Sequence, residues 1–395
     1  MSRTNSAHHY GSVTKTFHWL TALLILTLIP LGIIANKLPY ETSEQLAQKA
    51  WLFSLHKTLG VTVFFVALAR IAWAVTQTKP AGLHPDRKAE SWLAETVHWL
   101  LYGSLLLVPL SGWIHHASTT GFAPIWWPFG QNLPLVAKSE DTAALFAGLH
   151  IVFERVLAAA LILHVAGALK HHFVDKDATL KRMWFGTTHT PDATGTHKHG
   201  LPFVTAVAAW GIAIAIGSSI GVFAKHGDAI AQVALEQVES DWTVETGTVA
   251  IEITQFGNVV EGKFADWTAD IDYDPATAKG TTTVTIAVPS LTLGSVTDQA
   301  MGHDFFDATT FPTAIFQADL ERIVDGHLAT GTLTIRDKTV PVEMPFNLSI
   351  DDGLATVNGQ IELNRQDFGI GDNMADESSL LFNVKVKVEL TARQN

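Results

Sequence analysis

Four histidines lie in stretches otherwise almost free of polar side chains: His18 in FHWL, His56 in LHKTLG, and His150 and His164 in GLHIVFERVLAAALILHVAG. An imidazole in an apolar setting needs a partner, so such residues are functional candidates by default. Fourteen residues separate His150 from His164. In an α-helix that is about 21 Å of rise, and it returns the side chain to within about 40° of the same face. One helix therefore offers two ligands at two depths, with His18 at the depth of His164 and His56 at the depth of His150. Each depth then receives one imidazole from each of two helices. This is what two b-type haems require, each iron taking two axial histidines with its macrocycle between helices. With both axial positions filled, such iron favours electron transfer over binding oxygen. The sequence has no cysteine, which excludes thiolate-ligated haem, iron–sulfur clusters, disulfides and thiol catalysis.

The elements that must position these residues are membrane spans. A bilayer core of about 30 Å needs roughly 20 apolar residues per helix, and five segments qualify: approximately 17–35, 51–75, 92–114, 145–170 and 203–224. The polar N-terminus MSRTNSAHHYGSVTKT is followed by no small-residue cleavage site, so the first run is expected to be a retained helix. With the N-terminus inside, the inner flanks hold Arg3, Lys15, Lys79, Arg87, Lys88, Lys170, Lys176, Lys181, Arg182 and Lys198, and the outer loops only Lys37, Lys49 and Lys138. That bias predicts a cytoplasmic N-terminus in a bacterial inner membrane, with everything after Ala224 in the periplasm. The fifth segment carries no ionisable residue and is expected to be a plain tether.

Other polar residues in or beside the spans have plainer readings. His98 finds no partner at matching depth, and His115, His116, His171 and His172 are expected at the membrane surface or in packing. Arg155 or Lys57 could neutralise a haem propionate. The run from His18-Trp19, through His56-Lys57-Thr58-Leu59-Gly60 and Leu101-Tyr102 with Pro109-Leu110-Ser111-Gly112-Trp113, to His150 and His164, resembles the prokaryotic cytochrome b-561 family over roughly residues 10–185. The resemblance implies a four-helix di-haem unit with His18, His56, His150 and His164 as ligands. It also implies exchange of electrons with ubiquinone and, in some members, oxidation of superoxide at the outer face.

Charge divides the chain sharply. Residues 1–224 hold 16 Lys and Arg against 11 Asp and Glu, and residues 225–395 hold 10 against 27. Of 18 histidines, only His303 and His327 fall after Gly227. From Asp241 the pattern turns to short alternating runs, among them WTVETGTVAIEI, TTTVTIAV, VPVEMPFNLSI and NVKVKVEL. Period-two alternation with turns near every ten residues predicts an antiparallel sheet closed on itself or a sandwich, and a β-barrel is favoured because it leaves no exposed edge. The exception, DQAMGHDFFDATTFP, is expected to be a short helix or loop across the barrel mouth. Phe256, Phe264, Phe305, Phe306, Phe311, Phe316 and Phe368 are candidate lining residues. The negative surface disfavours nucleic acid as a partner.

This half resembles the YceI family of lipocalin-like proteins in Trp242-Thr243-Val244, Gly262-Lys263-Phe264, Asp304-Phe305-Phe306-Asp307 with Phe311-Pro312, Gly331-Thr332-Leu333-Thr334-Ile335-Arg336, and Asn364-Arg365-Gln366-Asp367-Phe368-Gly369-Ile370-Gly371. The resemblance implies a barrel that binds a polyisoprenoid chain, such as a quinone tail or isoprenoid lipid. The family's usual basic residue is missing from Ser290-Leu291-Thr292-Leu293-Gly294-Ser295, which argues against recognition of a lipid phosphate.

The expected domains are a di-haem unit at 1–185, a linker with the fifth span at 186–240 and a periplasmic isoprenoid-binding barrel at 241–395. The expected function is transmembrane electron transfer linked to quinone, from a donor the sequence does not name. The alternatives are an anchored isoprenoid-binding or transfer protein, against which the matched histidines argue, and a transmembrane reductase of ascorbate or ferric type. No strand followed by a Gly-rich dinucleotide turn is present, so electrons must arrive from a small molecule or a protein.

Overall fold

The computed structural model describes residues 2–84, 86–186, 188, 200–223, 234–236 and 240–395. Residues 187, 189–199, 224–233 and 237–239 of the expected 186–240 linker, Lys198 and Ala224 among them, lie outside the described residues. The chain divides into two compact units. One comprises Met1–Lys37, Leu52–Ser118 and Pro124–Ala224, the other Leu38–Trp51, Thr119–Ala123 and Lys225–Asn395.

Five helices are long and apolar enough to cross a membrane: α1 (Ser12–Lys37), α2 (Ser43–Val75), α3 (Lys88–Ser118), α4 (Glu140–Phe173) and, after the five-residue α5 (Thr179–Met183), α6 (Gly200–Ser219). The first four outrun their apolar cores because the polar ends are themselves good helix termini. Ser139 caps α4 by accepting from the Thr142 N–H at 3.3 Å, and Glu140 and Asp141 occupy its first turn, where the helix dipole favours anions. Within the spans, hydroxyls turn back on their own helix: Thr21 donates to the Phe17 carbonyl at 2.6 Å and Thr62 to that of Thr58 at 2.8 Å. These two hydroxyls are thereby satisfied within the helix rather than left bare in hydrocarbon.

Ile25 and Leu28 of α1, Val63 and Ala67 of α2, Leu105 of α3 and Leu157 of α4 form one buried cluster, so the first four helices share a core. At the polar end, Lys15 donates to the carbonyls of Trp184 and Gly186 at 2.8 and 2.9 Å, and Trp19 to that of Met183 at 2.9 Å. The segment after α4 is thereby pinned to the start of α1. The fifth span has more to do than the expected tether. Trp210 of α6 sits directly over Gly103 of α3, Phe203 meets Trp99 edge-on at 5.0 Å, and Gly217 lies against Val152 of α4. Small residues at these points let the backbones approach, as they commonly do between membrane helices.

The second unit is a ten-stranded antiparallel sheet. Its strands are β1 (Trp242–Gln255), β2 (Asn258–Phe264), β3 (Trp267–Asp274), β4 (Lys279–Ala287), β5 (Leu291–Thr292), β6 (Thr313–Ile323), β7 (Gly326–Ile335), β8 (Lys338–Asp351), β9 (Leu354–Asn364) and β10 (Asn383–Gln394), with α7 (Thr297–Met301) between β5 and β6. The order is β3-β4-β6-β7-β8-β9-β10-β1-β2-β5. The sheet curls until Gly247 of β1 touches Trp267 of β3, while its hydrogen-bonded ladder ends at β3 and at the two-residue β5. These two strands go beyond the runs read from sequence: WTADIDYD alternates apolar and polar residues, but its three aspartates are of a type depleted in strands, and β5 is too short to show a period. At the β8–β9 hairpin, Asp352 and Gly353 have φ of +48° and +75° between the paired Asp351 and Leu354. Such a two-residue left-handed turn matches the twist of the strands it joins.

Two buried side chains hold this unit closed. Trp242 donates its indole N–H to the Tyr273 carbonyl at 2.9 Å. Arg365, 3% exposed, donates to the carbonyls of Ile370, Gly371, Met374, Leu380 and Leu381 at 2.6–3.3 Å. Burial lowers its pKa from the usual arginine value, and the five carbonyls compensate the buried charge.

Candidate functional site

His56 is carried by α2 and His150 by α4, and the two are held alike. The His56 Nδ1 donates to the Leu28 carbonyl of α1 at 3.1 Å, and the His150 Nδ1 to the Val108 carbonyl of α3 at 2.8 Å. A carbonyl only accepts, so each ring keeps its proton on Nδ1 and leaves Nε2 with the lone pair a metal needs. Beneath each ring is a glycine one turn beyond the carbonyl. A Cβ at Gly32 would stand 2.8 Å from His56 Cε1, and one at Gly112 would stand 2.9 Å from His150 Nδ1. Each helix also carries a proline just before that glycine, Pro30 in α1 and Pro109 in α3.

His18 of α1 and His164 of α4 come together, their ring centres 6.1 Å apart. Metal–imidazole bonds are about 2 Å and each ring centre lies about 1 Å behind its nitrogen, so one iron between two imidazoles holds their centres roughly 6 Å apart. Trp19 packs edge-on against His18 at 5.3 Å. His98 corrects its sequence reading: its ring centre is 5.3 Å from that of His164, so it does have a neighbour at that depth. The reason is antiparallel geometry, since His98 enters α3 about as far from the polar end as His164 stands from the end of α4. His115 keeps its packing role and donates to the Ala143 carbonyl at 2.8 Å.

The charged residues divide. Lys57 is 7% exposed next to His56, whereas the Arg155 side chain is 72% exposed and 3.4 Å from Glu154. Arg70 stacks over the Tyr102 ring at 5.1 Å, a cation–π contact that accounts for a charge inside a span. The donor set at both depths, with Nε2 free on His56 and His150 and the ring spacing of His18 and His164, fits b-type haem.

In the second unit the curled sheet surrounds a cavity of about 250 Å³. Phe264, Phe305, Phe306, Phe316 and Phe368 line it, as does Phe346, which the sequence did not single out. Phe256 and Phe311 do not line it. Phe256 sits in the β1–β2 turn with φ of +49°, and Phe311 packs under the Arg336 guanidinium at 5.9 Å. Of the polar lining residues, Arg365 is committed to carbonyls. Gln255 Oε1 and Gln299 Nε2 are buried with no hydrogen-bond partner among the described residues.

The family model for Prokaryotic cytochrome b561 matches residues 9–186, and that for the YceI-like domain matches residues 242–392. Cytochrome b561 homolog 2 of Escherichia coli (strain K12) is 31% identical over 187 residues, 46% of this chain and 95% of that protein. Probable superoxide oxidase CybB of Yersinia pestis is 24% identical over 175 residues, 44% of this chain and 94% of that protein. Among solved structures, Burkholderia cenocepacia BcnA is 31% identical and covers 37% of this chain and 95% of its own, with a TM-score of 0.35. The chain therefore belongs to the prokaryotic cytochrome b561 family, membrane proteins of electron transfer with b-type haem, and joins to that helical half a YceI-like domain.

Proposed function

We propose that residues 1–185 hold two b haems, one between His18 and His164 and one between His56 and His150, and that electrons pass between an outer donor and the ubiquinone pool. The observation that carries this reading is the meeting of His18 and His164 at 6.1 Å, two imidazoles from different helices at the spacing one iron needs. Haem bound there would supply a one-electron redox centre. The chain's own contribution is orientation. Leu28 and Val108 fix the tautomer of His56 and His150, Gly32 and Gly112 let the rings lie close to the helices, and the buried Lys57 stands next to His56 in sequence, where it could meet a propionate. The excess of Lys and Arg on one side supports an inner-membrane orientation with the N-terminus cytoplasmic and the YceI-like domain, residues 241–395, periplasmic. Superoxide is the outer donor favoured by the relative's name. Purified protein should then reduce ubiquinone when superoxide is generated, and a reaction unchanged by loss of all haem would exclude it.

The cavity supports a neutral isoprenoid such as ubiquinone rather than a lipid phosphate. Every N–H of Arg365 is directed at a carbonyl, so it offers no free donor to a phosphate. Gln255 and Gln299 present one acceptor and one donor, suited to a hydroxyl or carbonyl head group. The ligand assignment is tested by lipid extraction from purified protein. Polyprenyl phosphate in place of neutral isoprenoid would overturn it.

The haem assignment is tested by pyridine haemochrome and optical spectra of wild type and of His18→Ala, His56→Ala, His150→Ala and His164→Ala. Two b haems per chain are expected, with His18 and His164 affecting one and His56 and His150 the other. Unperturbed haems in all four variants would remove the reading.

A further inference from the structure

Away from the four candidate axial histidines, the polar end of the helical unit gathers a second group of imidazoles. His84, in the α2–α3 connection, and His171, in the last turn of α4, stack face to face with ring centres 5.9 Å apart and planes 8° from parallel. Both aim a nitrogen at one carboxylate oxygen. His84 Nε2 is 2.8 Å and His171 Nδ1 is 2.7 Å from Asp177 Oδ2. The three donor atoms lie within 4.8 Å of one another. Asp177 is itself fixed, because its Oδ1 accepts the Thr179 N–H at 2.8 Å where α5 begins. Two imidazoles and a carboxylate anion are a donor set that borderline divalent metals take.

A neighbouring trio, Glu90, His171 and Asp175, meets the same spacing but is already neutralised. Lys170 Nζ lies 2.8 Å from both Glu90 and Asp175, and Arg87 lies 3.1 Å from Asp175. A dication there would have to displace two cations. Asp177, among the described residues, pairs with histidines and with no lysine or arginine.

We propose that His84, His171 and Asp177 form a second metal site, separate from haem iron, that takes one divalent transition-metal ion of the zinc type. The ligands are His84 Nε2, His171 Nδ1 and the Asp177 carboxylate, and the ion takes the place of the protons that now bridge each ring to the carboxylate. It cross-links the α2–α3 connection to the end of α4, the helix that carries His150 and His164. The site therefore braces that helix at its polar end.

The test uses tag-free full-length protein in detergent, treated with a chelator, equilibrated with Zn²⁺ and analysed for zinc and iron per chain, with zinc-edge X-ray absorption on the loaded sample. The expected result is one zinc per chain in a shell containing two imidazoles. His84→Ala and Asp177→Asn should each weaken binding by about tenfold or more, with Glu90→Gln close to wild type. Haem content reports folding of each variant, and His84→Gln, which keeps a polar side chain at the same place, replaces His84→Ala should that variant lose haem. Zinc binding that is equal in wild type and both His84 variants would place the ion on other histidines and overturn the proposal. So would loss of binding in Glu90→Gln alone.

Discussion

At Gly32 and Gly112 a single methyl group decides whether a histidine keeps its place. Alanine normally favours a helix interior over glycine by roughly 0.5–1 kcal/mol, yet here the added Cβ would meet His56 or His150 inside 3.0 Å. Gly32→Ala and Gly112→Ala are therefore expected to shift or reduce one b-haem signal while helix content is kept. Gly60→Ala, where a Cβ would meet nothing within 4 Å, should leave both haems unchanged; optical spectra of the three variants make the comparison. In the YceI-like domain the corresponding residue is Arg365. Arg365→Met removes donors from five carbonyls, and with about 1–3 kcal/mol per buried group left unsatisfied and partial relaxation, a loss of about 3 kcal/mol is expected. The urea midpoint of that domain by tryptophan fluorescence in the full chain measures it. The importance of Arg365 was only half legible: the motif Asn364-Arg365-Gln366-Asp367-Phe368-Gly369 marked a family, but nothing in a linear string shows an arginine turned inward onto carbonyls.

The spans were legible because hydrocarbon is an unforgiving solvent, and a backbone that crosses it without water has few options beyond a helix. What the apolar runs did not reveal is which small residue is a contact. Gly103 reads as one more glycine in α3 until Trp210 of α6 is found over it. Gly103→Ala is expected to overpack this contact and cost about 1–3 kcal/mol. It should lower the temperature at which the haem absorption is lost, and Trp210→Ala in the same chain should restore part of that stability. No recovery in the double variant would mean that α6 does not bear on α3 in detergent. Among the strands, long ones with alternating Val, Ile and Thr were legible. β3 went unread although Trp267, Ala269, Ile271 and Tyr273 alternate with Thr268, Asp270, Asp272 and Asp274, because aspartate is depleted in strands, and β5 went unread because two residues have no period.

Over the whole molecule, the prediction concerns the cavity. Ala329 is buried on β7 and lines it, so Ala329→Trp should fill much of the space. Neutral isoprenoid recovered by extraction from the purified full chain is expected to fall several-fold while both haem signals stay as in wild type. If quinone reduction by the haem unit also slows in this variant, the tethered domain feeds quinone to it; tethering alone raises local concentration.

By itself, the sequence determined the division into a helical membrane half and an acidic β half, the five spans, and the 14-residue spacing that puts His150 and His164 on one helix. Those follow from short-range rules: solvent polarity, helical period and strand alternation. Tertiary structure alone decided that His98 adjoins His164, that Leu28 and Val108 hold the imidazoles of other helices, that Phe256 and Phe311 turn away from the cavity, and that His84 meets His171 at Asp177. Each of these joins residues far apart in the chain. Such contacts depend on crossing and register between elements, which no local pattern of residue types encodes.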